Sequence, residues 1–160
     1  MLSCAAILGS GAALTSASAQ GLANFDSSRP VDYAADRIEL QDREKRAILS
    51  GNVTITQGDL KLLAARTVVA YTNDGGIKIQ RIDASGGVSA QRGNESARGD
   101  VAVYDFNRRI ITMVGHVALR RGTDTLNGQR LTIDLASGLS SVDGGGGGRV
   151  SGSFSVPKSN

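Results

Sequence analysis

Apolar and polar residues alternate with a period of two along most of the chain, in short runs such as Val31-Asp32-Tyr33 and Ile38-Glu39-Leu40. That period is the signature of half-buried strands, in which successive side chains point to opposite faces. The runs repeat. Gly-x-Val followed by Gly five residues after the Val occurs at Gly51, Val53 and Gly58, at Gly86, Val88 and Gly93, and at Gly115, Val117 and Gly122. Each copy leads into a second alternating run: Thr67, Val69 and Tyr71; Ala102, Tyr104 and Phe106; Leu131, Ile133 and Leu135. The unit reads as strand, turn, strand, and the unequal spacing of the copies predicts loops of different length.

Only Asp42 to Leu49 has a helix-friendly composition, yet Ala47 and Leu49 alternate into Ser50-Gly51, which predicts a strand closing in a turn. Asn73-Asp74-Gly75-Gly76 and Ser85-Gly86-Gly87 read as tight turns, and Asp105 to Arg108 leads into a strand around Ile110 to Val114. Gly144 to Gly148 reads as a flexible connection before a last strand, Arg149 to Val156. The expectation is a single all-β domain. A chain of 160 residues supports one core, and with no Trp and only 4% aromatic residues that core must be built from Val, Ile, Leu and Ala.

From Leu2 to Ala19 the sequence carries no charge, and Ala17-Ser18-Ala19 has the small-x-small form of a cleavage site before Gln20. This predicts a signal peptide over 1–19, a flexible segment over 20–29, the domain over 30–157 and a tail over 158–160, in an exported protein. The apolar stretch Ala5 to Leu14 falls short of the ~20 residues that cross a bilayer. Cys4 lies in the segment to be removed, so no disulfide or thiol chemistry is expected in the mature chain.

Catalytic candidates are few. His116 is the single histidine and occupies the x of a Gly-x-Val turn, where a structural or solvent-exposed role is expected. No triad can be assembled around it, and carboxylates such as Asp59, Asp100 and Asp134 are scattered, so neither enzyme activity, a metal site nor a cofactor is expected. The Gly144 to Gly148 run lacks the Lys and Ser/Thr of a phosphate-binding loop. Net charge is +3, with 14 Arg against 4 Lys, which favours anionic partners. Arg108-Arg109 and Arg120-Arg121 are not interleaved with stacking aromatics, which argues against nucleic acid.

Leu49-Ser50-Gly51-Asn52-Val53-Thr54-Ile55-Thr56-Gln57-Gly58, Tyr104-Asp105, Val114 to Leu119 and Leu126-Asn127-Gly128 resemble the OstA-like (LptA-like) domain of lipopolysaccharide-transport proteins, over about residues 30 to 157. Ala35-Asp36 and Gly99-Asp100 fit that family's Ala-Asp strand, where the first unit has Ala65-Arg66; His116 and Gly87 stand where Asn is usual. The resemblance implies an incompletely closed antiparallel β-jelly roll of strand-turn-strand repeats. It also implies a non-enzymatic periplasmic bridge that carries lipopolysaccharide from the inner to the outer membrane, with the lipid A acyl chains in an apolar groove. The residues expected to line the groove are Val31, Tyr33, Ile38, Leu40, Val53, Ile55, Leu60, Leu62, Val69, Tyr71, Val88, Ala90, Tyr104, Phe106, Leu119 and Ile133. Ordinary core packing is the alternative for each, and a scaffolding envelope protein with a dry core is the alternative for the whole.

An open jelly roll leaves unpaired backbone groups on its first and last strands. The first strand, expected around Val31 to Leu40, has charged outward positions but offers backbone pairing, and the last, Arg149 to Val156, has one charge and no internal Pro, so it is a poorly defended edge. The expected partners are an inner-membrane LptC-like anchor and an outer-membrane LptD-like translocon, joined through edge strands, with head-to-tail self-association of the chain.

Overall fold

Period-two alternation continues in the computed structural model far beyond the runs that turn signals delimit. Residues 28–156 are described, and they form ten strands with no helix among them. These are β1 (Val31–Ala34), β2 (Arg37–Gln41), β3 (Arg46–Gln57), β4 (Leu60–Thr72), β5 (Lys78–Arg92), β6 (Glu95–Asp105), β7 (Ile110–Arg121), β8 (Asp124–Asp134), β9 (Ser140–Asp143) and β10 (Ser151–Ser153). All pairing is antiparallel, in the order β1-β3-β4-β5-β6-β7-β8-β10, with β2 also on β3 and β9 also on β8. The sheet does not close on itself.

The three Gly-x-Val motifs are not turns. Each lies in mid-strand, where β3, β5 and β7 carry one residue more than their neighbours. Ser50 and Val53 face Arg66 and Ala64, Ser85 and Val88 face Val101 and Gly99, and Val114 and Val117 face Arg130 and Gly128. These are β-bulges, and they need positive φ at two successive residues: Gly51 and Asn52, Gly86 and Gly87, Gly115 and His116. The strand predicted to stop at Ser50-Gly51, the turn predicted at Ser85-Gly86-Gly87 and the turn placement of His116 are corrected accordingly. The second glycine of each motif makes the turn instead. Gly58, Gly93 and Gly122 open two-residue hairpins at φ 60, 56 and 55, so one motif encodes both a bulge and the hairpin that follows.

The strand expected around Val31 to Leu40 is two strands, broken at Ala35-Asp36, and the last strand is limited to Ser151–Ser153. The predicted turn after Tyr71 is present between β4 and β5. The predicted signal peptide over 1–19, and all but the last two residues of the segment over 20–29, lie outside the described residues.

The bulges fold the sheet on itself. On one side lie β2, the N-terminal halves of β3, β5 and β7, the C-terminal halves of β4, β6 and β8, and β9; the other halves form a second leaf with β1 and β10. Side chains of the two leaves form one apolar cluster, so the architecture is an open β-jelly roll. Residues directly across an antiparallel pair share a face. Next to the fold line the inner face of the first leaf reads Ile38-Leu49-Thr67-Ala84-Ala102-Met113-Leu131-Val142. Its six central residues are buried. Leu49, Met113 and Leu131 oppose Val53, Val88 and Val117 of the second leaf within the core cluster, and all six are at most 2% exposed.

Candidate functional site

Burial falls away from the fold line. The next inner row of the first leaf is Leu40-Ala47-Val69-Ile82-Tyr104-Ile111-Ile133-Ser140, and that of the second is Tyr33-Ile55-Leu62-Ala90-Ala97-Leu119-Leu126-Gly152. Apolar residues dominate both rows, several of them only half-buried. A third row on the second leaf, Val31-Gln57-Leu60-Arg92-Glu95-Arg121-Asp124, turns polar toward β8. The interior is therefore packed at the fold line, apolar between the leaves and charged along one rim.

Two cavities lie between the leaves. The larger, about 330 Å³, sits at the β8 end, between Leu119, Leu126 and Phe154 of the second leaf and Leu131, Ile133 and Leu139 of the first. Glu95, Arg121 and Asp124 stand at its rim. The smaller, about 30 Å³, is lined by Val31, Ile55, Gln57, Leu60, Leu62, Ile82, Tyr104 and Phe106. Tyr104 and Phe106 stack there with ring centroids 3.9 Å apart, and Gln57 donates to the Arg29 carbonyl at 2.7 Å.

The register turns fifteen of the sixteen expected groove residues inward on paired strands, and Phe106, stacked on Tyr104, continues that face. They are not all alike. Val53 and Val88 are core at the fold line; Ala90 is buried and Val69 half-buried farther out. Val31, Ile55, Leu60, Leu62, Tyr104 and Phe106 share the small cavity, and Leu119 and Ile133 line the large one. Tyr71 sits near the edge of the first leaf, its hydroxyl 3.2 Å from Asp42 Oδ1. Tyr33, Ile38 and Leu40 face inward but stay exposed, because they lie on edge strands that nothing covers among the described residues.

Sequence reasoning missed Leu126, Leu131, Leu139 and Phe154 as lining. Leu126 pairs with Leu119 and Leu131 alternates with Ile133, so both carried a readable signal; Leu139 lies in a turn and carried none. That turn is built by Asp134, whose Oδ1 accepts from the N–H groups of Ala136 and Ser137 at 2.8 and 3.1 Å. The Ser137 and Ala136 N–H groups hold the Asp134 carboxyl below its usual range, as the Arg92 guanidinium, 2.8 Å away, does for Asp59. His116 points outward at the fold line with Nδ1 2.9 Å from Asp100 Oδ2, away from both cavities. Among the described residues no three His, Cys, Asp or Glu side chains gather as a metal site.

The family described as "LptA/(LptD N-terminal domain) LPS transport protein" matches residues 34–139. An uncharacterized protein of Rhizobium meliloti (strain 1021) is 30% identical over 140 residues, covering 83% of this chain and 75% of that one. Among solved structures, LptH of Pseudomonas aeruginosa, described as the LptA-homologous periplasmic component of the lipopolysaccharide transport device, superimposes with a TM-score of 0.69. The match covers 80% of this chain and 96% of LptH at 17% identity, a likeness of fold.

Proposed function

Since the chain belongs to the LptA/LptD N-terminal domain family of lipopolysaccharide transport proteins, we propose that it is a periplasmic, non-enzymatic carrier that shields lipid A acyl chains between its two leaves. The observation that carries this reading is the apolar space between the leaves, open over about 330 Å³ at the β8 end, with uncovered inner-face side chains, Tyr33, Ile38 and Leu40, at the opposite sheet edge. Each acyl methylene hidden from water contributes about 0.8 kcal/mol, so a carrier needs an apolar lining and no reacting group. The charged rim of Glu95, Arg121 and Asp124 leaves the polar part of an amphiphile outside.

Bridging follows from the edges. β1 and β2 at one end, and β9 and β10 at the other, each have one strand edge without a partner among the described residues. We take these as the docking sites for an inner-membrane LptC-like anchor, for an outer-membrane LptD-like translocon and for further copies of the chain, by strand addition. The packed fold line supports the scaffolding reading for that part of the interior alone. Retention of purified lipopolysaccharide on the immobilised protein tests the carrier: acylated lipopolysaccharide is expected to bind and its deacylated saccharide to pass through. Equal passage of both would leave only the scaffold.

A further inference from the structure

β10 gives the second-leaf half of β8 a partner over three residues only, Ser151 to Asn127, Gly152 to Leu126 and Ser153 to Thr125. Beyond it the chain is tied along β8 by polar contacts. Asp124 Oδ1 accepts the Ser155 N–H at 2.8 Å, Thr125 and Ser153 hydroxyls lie 3.1 Å apart, and those of Thr123 and Ser155 also bond. Val150, Phe154 and Val156 remain exposed, so little apolar burial holds this segment down.

Gly152 shares the inner face with Leu126, and Phe154, two residues on, turns to the same side and lines the large cavity. It does so while 74% exposed. Leu139 reaches the same cavity from the first leaf and is 68% exposed. A single exposed apolar side chain is ordinary on a protein surface. Here two large ones, from opposite leaves, border one concavity and neither covers the other. The cavity, about 330 Å³, is at the small end of the range of ligand pockets, roughly 300–1,000 Å³.

We infer that Arg149 to Val156 is a strap that closes over an acyl chain lying in the β8-end cavity, with Phe154 and Leu139 gripping that chain from the two leaves. The inference rests on the carrier reading and adds the element that covers the cargo. Closure removes both side chains from water, and the short polar attachment of the strap lets it move at little cost.

The chain has no Trp, so Phe154→Trp supplies the only indole, at the strap, which red-edge excitation reads apart from the three tyrosines. Titrating that variant with purified lipopolysaccharide should shift emission to the blue, saturating with retention on the immobilised protein, and the deacylated saccharide should leave emission unchanged. Retention without any change in the emission of Phe154→Trp would overturn the strap while leaving the carrier intact. Absence of retention would overturn both. Phe154→Ala, at an exposed site that folding does not depend on, should release bound lipopolysaccharide with roughly tenfold weaker affinity and an unchanged melting temperature. Unchanged affinity in Phe154→Ala would also overturn the strap.

Discussion

His116 occupies left-handed backbone space at φ 47, a region that Gly and Asn adopt most readily, Asp and His less so, and that strains β-branched residues. Its partner, Asp100, reproduces the geometry of Asp36, which accepts from Asn52 Nδ2 at 2.8 Å across another bulge. His116→Asn should therefore raise stability by about 0.5–1 kcal/mol, whereas His116→Val should lower it by about 1–2 kcal/mol in thermal melts. Neither change should alter lipopolysaccharide retention, because the side chain points away from the cavities. Leu139→Ser should do the reverse, weakening retention with little effect on the melt, since the side chain is already in water. Acid stability follows from Asp59 and Asp134. Both carboxyls titrate below their ordinary range in the fold, so their contribution is complete above the unfolded-state value and is lost as pH falls through the lower folded value. Asp59→Asn with Asp134→Asn should flatten the acid limb of a stability-pH profile and leave the neutral region shifted by a constant amount. At this scale the sequence was readable where alternation is strict, as in Tyr104 and Phe106. It was silent at Leu139, whose position is set by the Asp134 turn rather than by any period.

Among the elements, the bulge explains both the repeat and its misreading. Turns and bulges draw on the same glycine freedom at positive φ, so Gly51, Gly86 and Gly115 are indistinguishable from turn residues until the register shows strands running through them. Strand register also makes Ala65 of the first unit, whose Cβ abuts Gly86 of the middle bulge, the equivalent of Asp36 and Asp100 instead of Arg66. A Cβ on Gly51 or Gly115 would run into the Asp36 or Asp100 carboxylate in the same way, which is why the small residue and the Asp travel together. The middle bulge has Ala65 and Gly87 where the others have an Asp and its partner. Ala65→Asp combined with Gly87→Asn should restore that hydrogen bond, with a favourable coupling of about 0.5–1 kcal/mol in a double-mutant cycle. Additive effects would mean that the bulge geometry differs among the three. At the C-terminal edge, Ser153→Pro removes the N–H and distorts the three-residue β10, and should reduce the proposed head-to-tail association, read by light scattering, while the long strands keep their melting temperature. Unchanged association would place the contact on another edge.

For the whole molecule, the gradient from a packed fold line to an open rim separates the residues that hold the fold from those to which the proposed function assigns cargo. Leu49, Val53, Met113, Val117 and Leu131 hold the leaves together at the bulges, and the rows beyond them mix buried residues such as Ile82, Ala97 and Ile133 with half-buried and exposed ones, along which the proposed cargo would lie. The all-β class and the inward faces were legible from period-two patterning, and the open jelly roll from the family resemblance that the Gly-Asn-Val motif carries. Which of the inward residues pack and which remain open was not, because that depends on distance from a fold line that only the strand register defines. The central claim is that acyl chains lie between the leaves. A photo-crosslinking amino acid placed singly at Leu126 or Ile133 on the inner face, and at Val103 or Asn127 on the outer face, should capture lipopolysaccharide from the inner positions alone. Equal capture from both faces, or capture from Val103 and Asn127 only, would contradict the account.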